Sequence, residues 1–252
     1  MTGLLLWMGL ACHHAPPPSL AAEGVLREVV ARSETNDLVY LGTVRPRGES
    51  GPPLFQYERR VTEQGDHMRS FHVTFAPDGA PVLSHEAEHS STYELLRFEE
   101  IHGQTGGVGQ VEVARDGTAT YTTMVDGRTR TRIERPGDPL QAGPTLFGYL
   151  LEHREALEGG AVQHIRFVVV SRRRSYRFAL RRIDGPLGTT TFEMVPTDPI
   201  VALGVPRGLI VFDEDGDVVR YEGLVPPLQD VGGHLKRLDA TVTYDQVSDT
   251  YR

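Results

Sequence analysis

The sequence predicts a mainly β protein: a curved antiparallel meander of about a dozen strands, forming a half-barrel or barrel, with one amphipathic helix. Three observations predict it. Asp-Gly, whose glycine readily takes the positive φ of tight hairpin turns, occurs five times, at Asp78-Gly79, Asp116-Gly117, Asp126-Gly127, Asp184-Gly185 and Asp215-Gly216. Apolar and polar residues alternate between most of these turns, as half-buried strands require. With 39% hydrophobic and 24% charged residues the chain can bury a core, and a single all-β domain accommodates a chain of this length.

The chain begins with an apolar run, Leu4 to Ala11, and residues 1–22 contain no Lys, Arg, Asp or Glu. The run is too short to cross ~30 Å of hydrocarbon and reads as a signal-peptide core. Cys12, the only cysteine, follows directly. This arrangement resembles the signal of bacterial lipoproteins, in which that cysteine is lipidated and becomes the first mature residue. It departs from the pattern in the uncharged Met1-Thr2-Gly3 and in Gly9, where leucine is usual. The expected division is a signal peptide over 1–11, the lipidated Cys12 with a tether over 12–22, and a single β-rich domain over 23–252. Pro16-Pro17-Pro18 favours an extended, stiff tether, and the adjacent His13-His14 does not close a metal coordination shell. His13 stands where lipoprotein sorting reads an aspartate as a retention signal, so the resemblance implies an outer membrane lipoprotein facing the periplasm. Cleavage after Ser19-Leu20-Ala21, giving a soluble periplasmic or secreted protein, is the alternative.

Strands are expected over residues 38–44, 55–61, 69–75, 82–89, 94–101, 110–113, 118–125, 128–135, 164–170, 176–183, 190–195, 209–212, 218–221 and 238–244. Period two is plainest in 118–125, where Ala119, Tyr121, Thr123 and Val125 alternate with Thr118, Thr120, Thr122 and Met124. The one helical pattern runs from Pro144 to Glu158, with Leu146, Tyr149, Leu150, His153 and Leu157 on one side and Gly159-Gly160 as a stop. It is expected to lie against the sheet and close one of its mouths. Glu152, Glu155 and Glu158 make its polar face acidic, which opposes a membrane-surface role.

Three stretches carry a family resemblance: Gly143-Pro144-Thr145-Leu146-Phe147, then His164 to Ser171, then Phe212-Asp213 and Arg220 to Leu224 leading to Val242-Thr243-Tyr244. They resemble uncharacterised β-rich envelope proteins of bacteria, themselves similar to the DUF3108 type. The resemblance implies a curved antiparallel sheet of the kind found in the lipoprotein carriers LolA and LolB, and it assigns no catalytic residue.

The literal catalytic motif is His85-Glu86-Ala87-Glu88-His89, an H-E-x-x-H. On a helix the two histidines stand about 6 Å apart and can share a zinc ion while the glutamate activates water. On a strand the same separation is about 13 Å, and the hairpin 69–75, 77–79, 82–89 predicts a strand. A three-residue loop at 77–79 sets Phe71 opposite His85 and His67 opposite His89, whereas a two-residue loop sets His72 opposite His85. His85, Glu86, His89 and His67 are therefore the candidate metal residues, against an expectation of no metal and no cofactor. Asp213-Glu214-Asp215-Gly216-Asp217 is similar to a calcium loop, but its glycine falls one position early, and a hairpin turn is expected. Arg172-Arg173-Arg174 reads as a solvated turn.

The net charge of −8 opposes a general nucleic-acid binder. No G-x-S-x-G, phosphate-binding glycine loop or nucleophilic cysteine stands in the domain. The expected function is a non-enzymatic envelope lipoprotein, anchored to the membrane through Cys12, that binds a lipid or acyl chain, or an envelope protein, in or on its curved sheet. The alternatives are a periplasmic metal-dependent hydrolase built on His85-Glu86-Ala87-Glu88-His89 and an assembly scaffold without a small ligand.

Overall fold

The computed structural model describes residues 20–125 and 127–248; Cys12, the apolar leader, His13-His14 and the proline tether lie outside the described residues. A helix, α1 (Leu20–Ser33), precedes eight strands: β1 (Asp37–Pro46), β2 (Phe55–Gln64), β3 (His67–Phe75), β4 (Pro81–His89), β5 (Leu95–His102), β6 (Gly107–Val113), β7 (Ala119–Val125) and β8 (Arg128–Glu134). The short β9 (Leu140–Gln141) leads into α2 (Gly143–Glu152) and α3 (Arg154–Glu158), and β10 (Gln163–Val169), β11 (Arg174–Ile183) and β12 (Thr190–Pro196) follow. Last come α4 (Pro199–Ala202), β13 (Gly208–Phe212), β14 (Val218–Asp230) and β15 (Leu235–Gln246). All fifteen strands belong to one sheet, in the order β8-β7-β6-β5-β4-β3-β2-β1-β15-β14-β13-β12-β11-β10-β9. Neighbours are antiparallel, except that β9 and β10 pair in parallel. The mainly β curved meander that alternation predicts is what the chain forms.

A twisted open sheet of more than about ten strands curls. This one rolls up without closing, since β8 and β9, its outermost strands, share no ladder. Side-chain packing does the joining. One face of β10 gives Ile165 and Phe167 to the main core, while Val168 and Val170 pack with Phe98, Val111 and Tyr121 of β5, β6 and β7. Glu134 of β8 then accepts hydrogen bonds from the Ser175 backbone N–H at 2.9 Å and from Arg166 at 2.6 Å. Gly109 permits the overlap, because a Cβ there would stand 2.1 Å from Cγ1 of Val170.

The inside of the roll is occupied. Every residue from Pro144 to Leu150 of α2 is buried, and Leu146, Phe147, Tyr149 and Leu150 pack against Phe178, Phe192, Ile210 and Phe212 of the facing strands. A helix stretch buried all round belongs in a core, so α2 is a plug inside the sheet, where the expectation had a helix closing one of its mouths. The expected 144–158 helix also breaks at His153, whose Nδ1 contacts the Tyr149 carbonyl at 2.9 Å while its ring stacks on Tyr149. That contact competes with the helix ladder, and the acidic residues Glu155 and Glu158 fall on the separate α3.

Sequence reading placed residues 12–22 in a tether and expected no helix before the first strand, yet α1 begins at Leu20. Its Leu26 and Val29 pack on Phe71 and Ile101, on the outer face of β3 and β5. Four of the five Asp-Gly glycines take positive φ, between 69° and 90°; Gly185 does not. The loop at Gly185 is longer, and Thr191 Oγ1 would meet a Cβ there at 2.2 Å.

Gly109→Ala should destabilise the fold by about 1–3 kcal/mol, since the overlap leaves no volume for a methyl group. Gly24→Ala, at a helical position with nothing within 4 Å of the added atom, should stabilise by about 0.5–1 kcal/mol. Denaturant melts of both variants check the pair; equal behaviour would contradict the packed overlap.

Candidate functional site

The buried histidines and Arg59 inside the roll come from the inward phase of β2 to β4. In β3, Met68, Ser70, His72 and Thr74 share that phase, and the register pairs Met68 with His89, Ser70 with Ala87 and His72 with His85. This is the two-residue-loop register; the pairing of His67 with His89, and of Phe71 with His85, is not formed. The turn itself is the three-residue loop 77–79, with the Ala76 N–H donating to the Ala80 carbonyl and Phe75 opposite Pro81, and a bulge between Thr74 and Phe75 then slips the pairing by one residue to set His72 opposite His85. Phe71 thereby faces outward onto α1, where it is fully buried.

The sequence-predicted candidates separate as strand geometry demands. His85 and His89 both face inward on β4, four residues apart, and Glu86 faces the other way, toward Arg32 of α1 and Arg69, whose Nε lies 3.2 Å from its carboxylate. His67 is exposed at the far end of β3, beside Asp66 at 3.0 Å. Among the described residues no three His, Cys, Asp or Glu side chains converge as a metal site would need. The arginine run 172–174 is a turn, with Arg173 at φ 50°, and Asp213 to Asp217 close a hairpin through the Asp213 carboxylate.

Each inward histidine has its own surroundings. His89 Nε2 lies 2.9 Å from Oγ of Ser70 and Nδ1 lies 2.8 Å from the Ser90 carbonyl, with Tyr93 stacked over the ring. The Ser70–His89 pair has a nucleophile–base spacing, but Ser70 is 0% exposed and no substrate atom can reach it. His85 Nε2 pairs with Glu100 at 3.1 Å. His72 Nε2 is buried with no hydrogen-bond partner. The first turn of α2 rests on two of these rings: a Cβ at Gly143 would lie 3.7 Å from His72 Nδ1 and 3.8 Å from His85 Nδ1.

Burial is the first cause that lowers the pKa of His72, well below the usual imidazole range, with the charges of Arg59 and His85 adding to it. Burial also brings His89 down to about 4, against a raising hydrogen bond to Ser90 and with help from Arg59. His102 is lowered chiefly by burial. Burial would raise Glu100, but the hydrogen bond and charge of His85 outweigh it and hold the carboxyl below its ordinary value. His72, His89 and His102 are thus held in the neutral form at pH 7.

Arg59 is the residue that sequence reading missed. It occupies the inward phase of β2, between Tyr57 and Val61, and is paired with His72 of β3 and Tyr40 of β1. Only 4% exposed, its Nε has no hydrogen-bond partner, and among the described residues no carboxylate pairs with its guanidinium. Its compensation is the Tyr40 ring, 5.8 Å away. A cation–π contact is worth about 2 kcal/mol when desolvated, whereas burying an ion costs several kcal/mol. The desolvation wins, so Arg59 sits at a net cost. The detectable signal was an arginine in the apolar phase of an otherwise alternating strand.

Tyrosines surround it. Tyr57 packs edge-on to His72 at 4.8 Å and to Tyr244 at 5.7 Å, and Tyr244 meets Phe147 of α2 at 5.6 Å. Both Tyr57 and Tyr244 are half-buried, and neither hydroxyl has a hydrogen-bond partner among the described residues. Burial raises the pKa of both. Gly42 lies against both rings, because a Cβ there would press on Tyr57 at 3.0 Å and on Tyr244 at 3.3 Å. A depression of about 460 Å³ lies on the outer face of β1, β14 and β15. Its Arg47 and Arg220 are already paired with Glu222 at 3.0 and 3.4 Å.

No protein-family profile and no curated protein sequence matches the chain. Among solved structures the chain is similar to a β-barrel-like protein of a domain of unknown function, DUF1849, from Brucella abortus, with a TM-score of 0.46 and 12% identity over 84% of this chain and 97% of that one. It is also similar to a domain from Vibrio parahaemolyticus assigned to outer membrane lipoprotein sorting, with a TM-score of 0.23 and 8% identity over 90% and 92% of the two chains.

Because His72, His89 and His102 are held neutral by the fold and titrate near pH 6.5 once unfolded, the unfolded state binds more protons between about pH 6.5 and 4. Stability should therefore be full above about pH 7 and fall on acidification through that window. For His89 the displacement corresponds to about 3 kcal/mol by pH 4. His89→Gln should flatten the melting-temperature profile across this range; an unchanged slope would contradict its buried neutral state.

Proposed function

We propose that the chain is a non-enzymatic envelope lipoprotein, held at the outer membrane by a lipid on Cys12 and facing the periplasm, that binds an envelope partner on the surface of its rolled sheet. The observation that carries this reading is α2. An acyl chain carried inside the sheet would need the volume that Leu146, Phe147, Tyr149 and Leu150 fill, and displacing the helix would expose each of these side chains at about 1.5–3 kcal/mol apiece. The hydrolase alternative loses its base, since Glu86 lies on the opposite face of β4 from His85 and His89. The leader of residues 1–11 and the proline tether support the anchor, and the net charge of −8 supports partners other than nucleic acid.

Labelled fatty acid should enter the wild-type chain and be absent from Cys12→Ala, which should move from the membrane fraction to the soluble one. The soluble variant should give a bare polypeptide mass under native conditions. Label that persists without Cys12 would overturn the anchor; a lipid mass that denaturation releases would restore the carrier reading.

A further inference from the structure

We infer that Arg59, His72, Tyr57 and Tyr244 form a binding site for a small carboxylate carried on a flat apolar body, an aromatic acid being the simplest example. The site is distinct from the Cys12 anchor and from the outer surface, and it does not depend on either.

Four observations support the inference. Arg59 is a buried cation with no carboxylate among the described residues, and Glu58, its neighbour on β2, is on the other face and paired with Arg60 at 3.0 Å. His72 Nε2 is a second buried, unpartnered polar atom, one cross-strand pair away. The Tyr57 and Tyr244 hydroxyls add two groups able to donate to an oxyanion. Their rings pack edge-on with His72 and Phe147 at 4.8 to 5.7 Å, an aromatic wall on which a planar apolar group can rest.

The charge count selects the ligand. One guanidinium beside a neutral imidazole balances one negative charge, and its planar fork matches the two oxygens of a carboxylate. A phosphate dianion would be left half unpaired among these buried groups. The interior beyond Tyr244 is filled by α2, so a long acyl tail has nowhere to lie. The His85–Glu100 pair at 3.1 Å occupies the neighbouring position and keeps its carboxylate away from Arg59.

Calorimetric titration of the full chain with benzoate, benzamide, inorganic phosphate and laurate tests the site. Benzoate should bind once per chain, and benzamide, laurate and phosphate should each bind at least about tenfold more weakly. Arg59→Met should weaken benzoate by about 30-fold or more, the loss of a charge-assisted pair. Without benzoate the same variant should melt at a higher temperature than the wild type, because an unpaired buried charge has been replaced by an apolar side chain. Tyr244→Phe, which removes one donor and keeps the ring, should weaken benzoate by about three- to tenfold, and it serves if Arg59→Met does not fold. Absence of benzoate binding to the wild type, or full binding by both variants, would overturn the inference. Phosphate as tight as benzoate would overturn the carboxylate assignment, and laurate binding in place of benzoate would overturn the small acid in favour of an amphiphile.

Discussion

A fifteen-stranded sheet that does not close by hydrogen bonds must still cover its concave face, and the packing of α2 into that face is the interaction on which the rest of the structure depends. Without α2 the aromatic residues of β10 to β13 would line open water, and antiparallel sheets of this breadth do not persist with a large apolar face exposed. The helix also sets where its neighbours stand. Thr145 Oγ accepts from the Ala142 N–H and donates to Gln141 Oε1, and Gln141 in turn donates to the Tyr93 carbonyl. Tyr93 is held at φ 61°, an unfavourable backbone conformation for a large side chain. Gly148 accommodates it, since a Cβ there would fall 2.0 Å from the ring.

Closure of the roll by packing has an electrostatic seam. Where a barrel would continue its ladder between the end strands, Glu134 of β8 is inserted against Ser175 and Arg166. Burial pushes the Glu134 carboxyl up, but the Ser175 hydrogen bonds and the Arg166 charge outweigh it and hold it below the ordinary carboxylate range. A depressed carboxylate stabilises the fold at neutral pH and loses that contribution as pH falls through its folded pKa. The seam and the neutral His72, His89 and His102 therefore respond to acid in successive windows, the histidines first.

Much of this was legible along the chain. Alternation and Asp-Gly turns gave fourteen segments that correspond to strands, because a half-buried antiparallel strand writes its environment into its own period. The short β9 was not legible: two residues carry no period. Nor was α1, although Leu26, Val29 and Ser33 share a buried face at helical spacing with Glu23 in the first turn and Arg32 in the last. The interior position of α2 was hidden for a different reason. Its apolar pattern specifies burial, while the partner that buries it exists only once distant strands roll together. The same holds for Arg59, whose strand phase is readable but whose lack of a counter-charge depends on β1, β3 and β15 at once. The histidines of the H-E-x-x-H segment were placed on a strand by context, and between the two registers considered the structure takes the one that pairs His72 with His85.

Whether α2 is an integral plug or a detachable cover decides between a solid interior and a cavity that opens on demand. Native-state hydrogen exchange measures this directly. The amides of α2 from Leu146 to Leu150 should exchange only through global unfolding, with the same opening free energy as those of β4 and β12. Exchange of these α2 amides through a local opening several kcal/mol below the global one, with the strands still protected, would contradict the plug and make the rolled sheet a container.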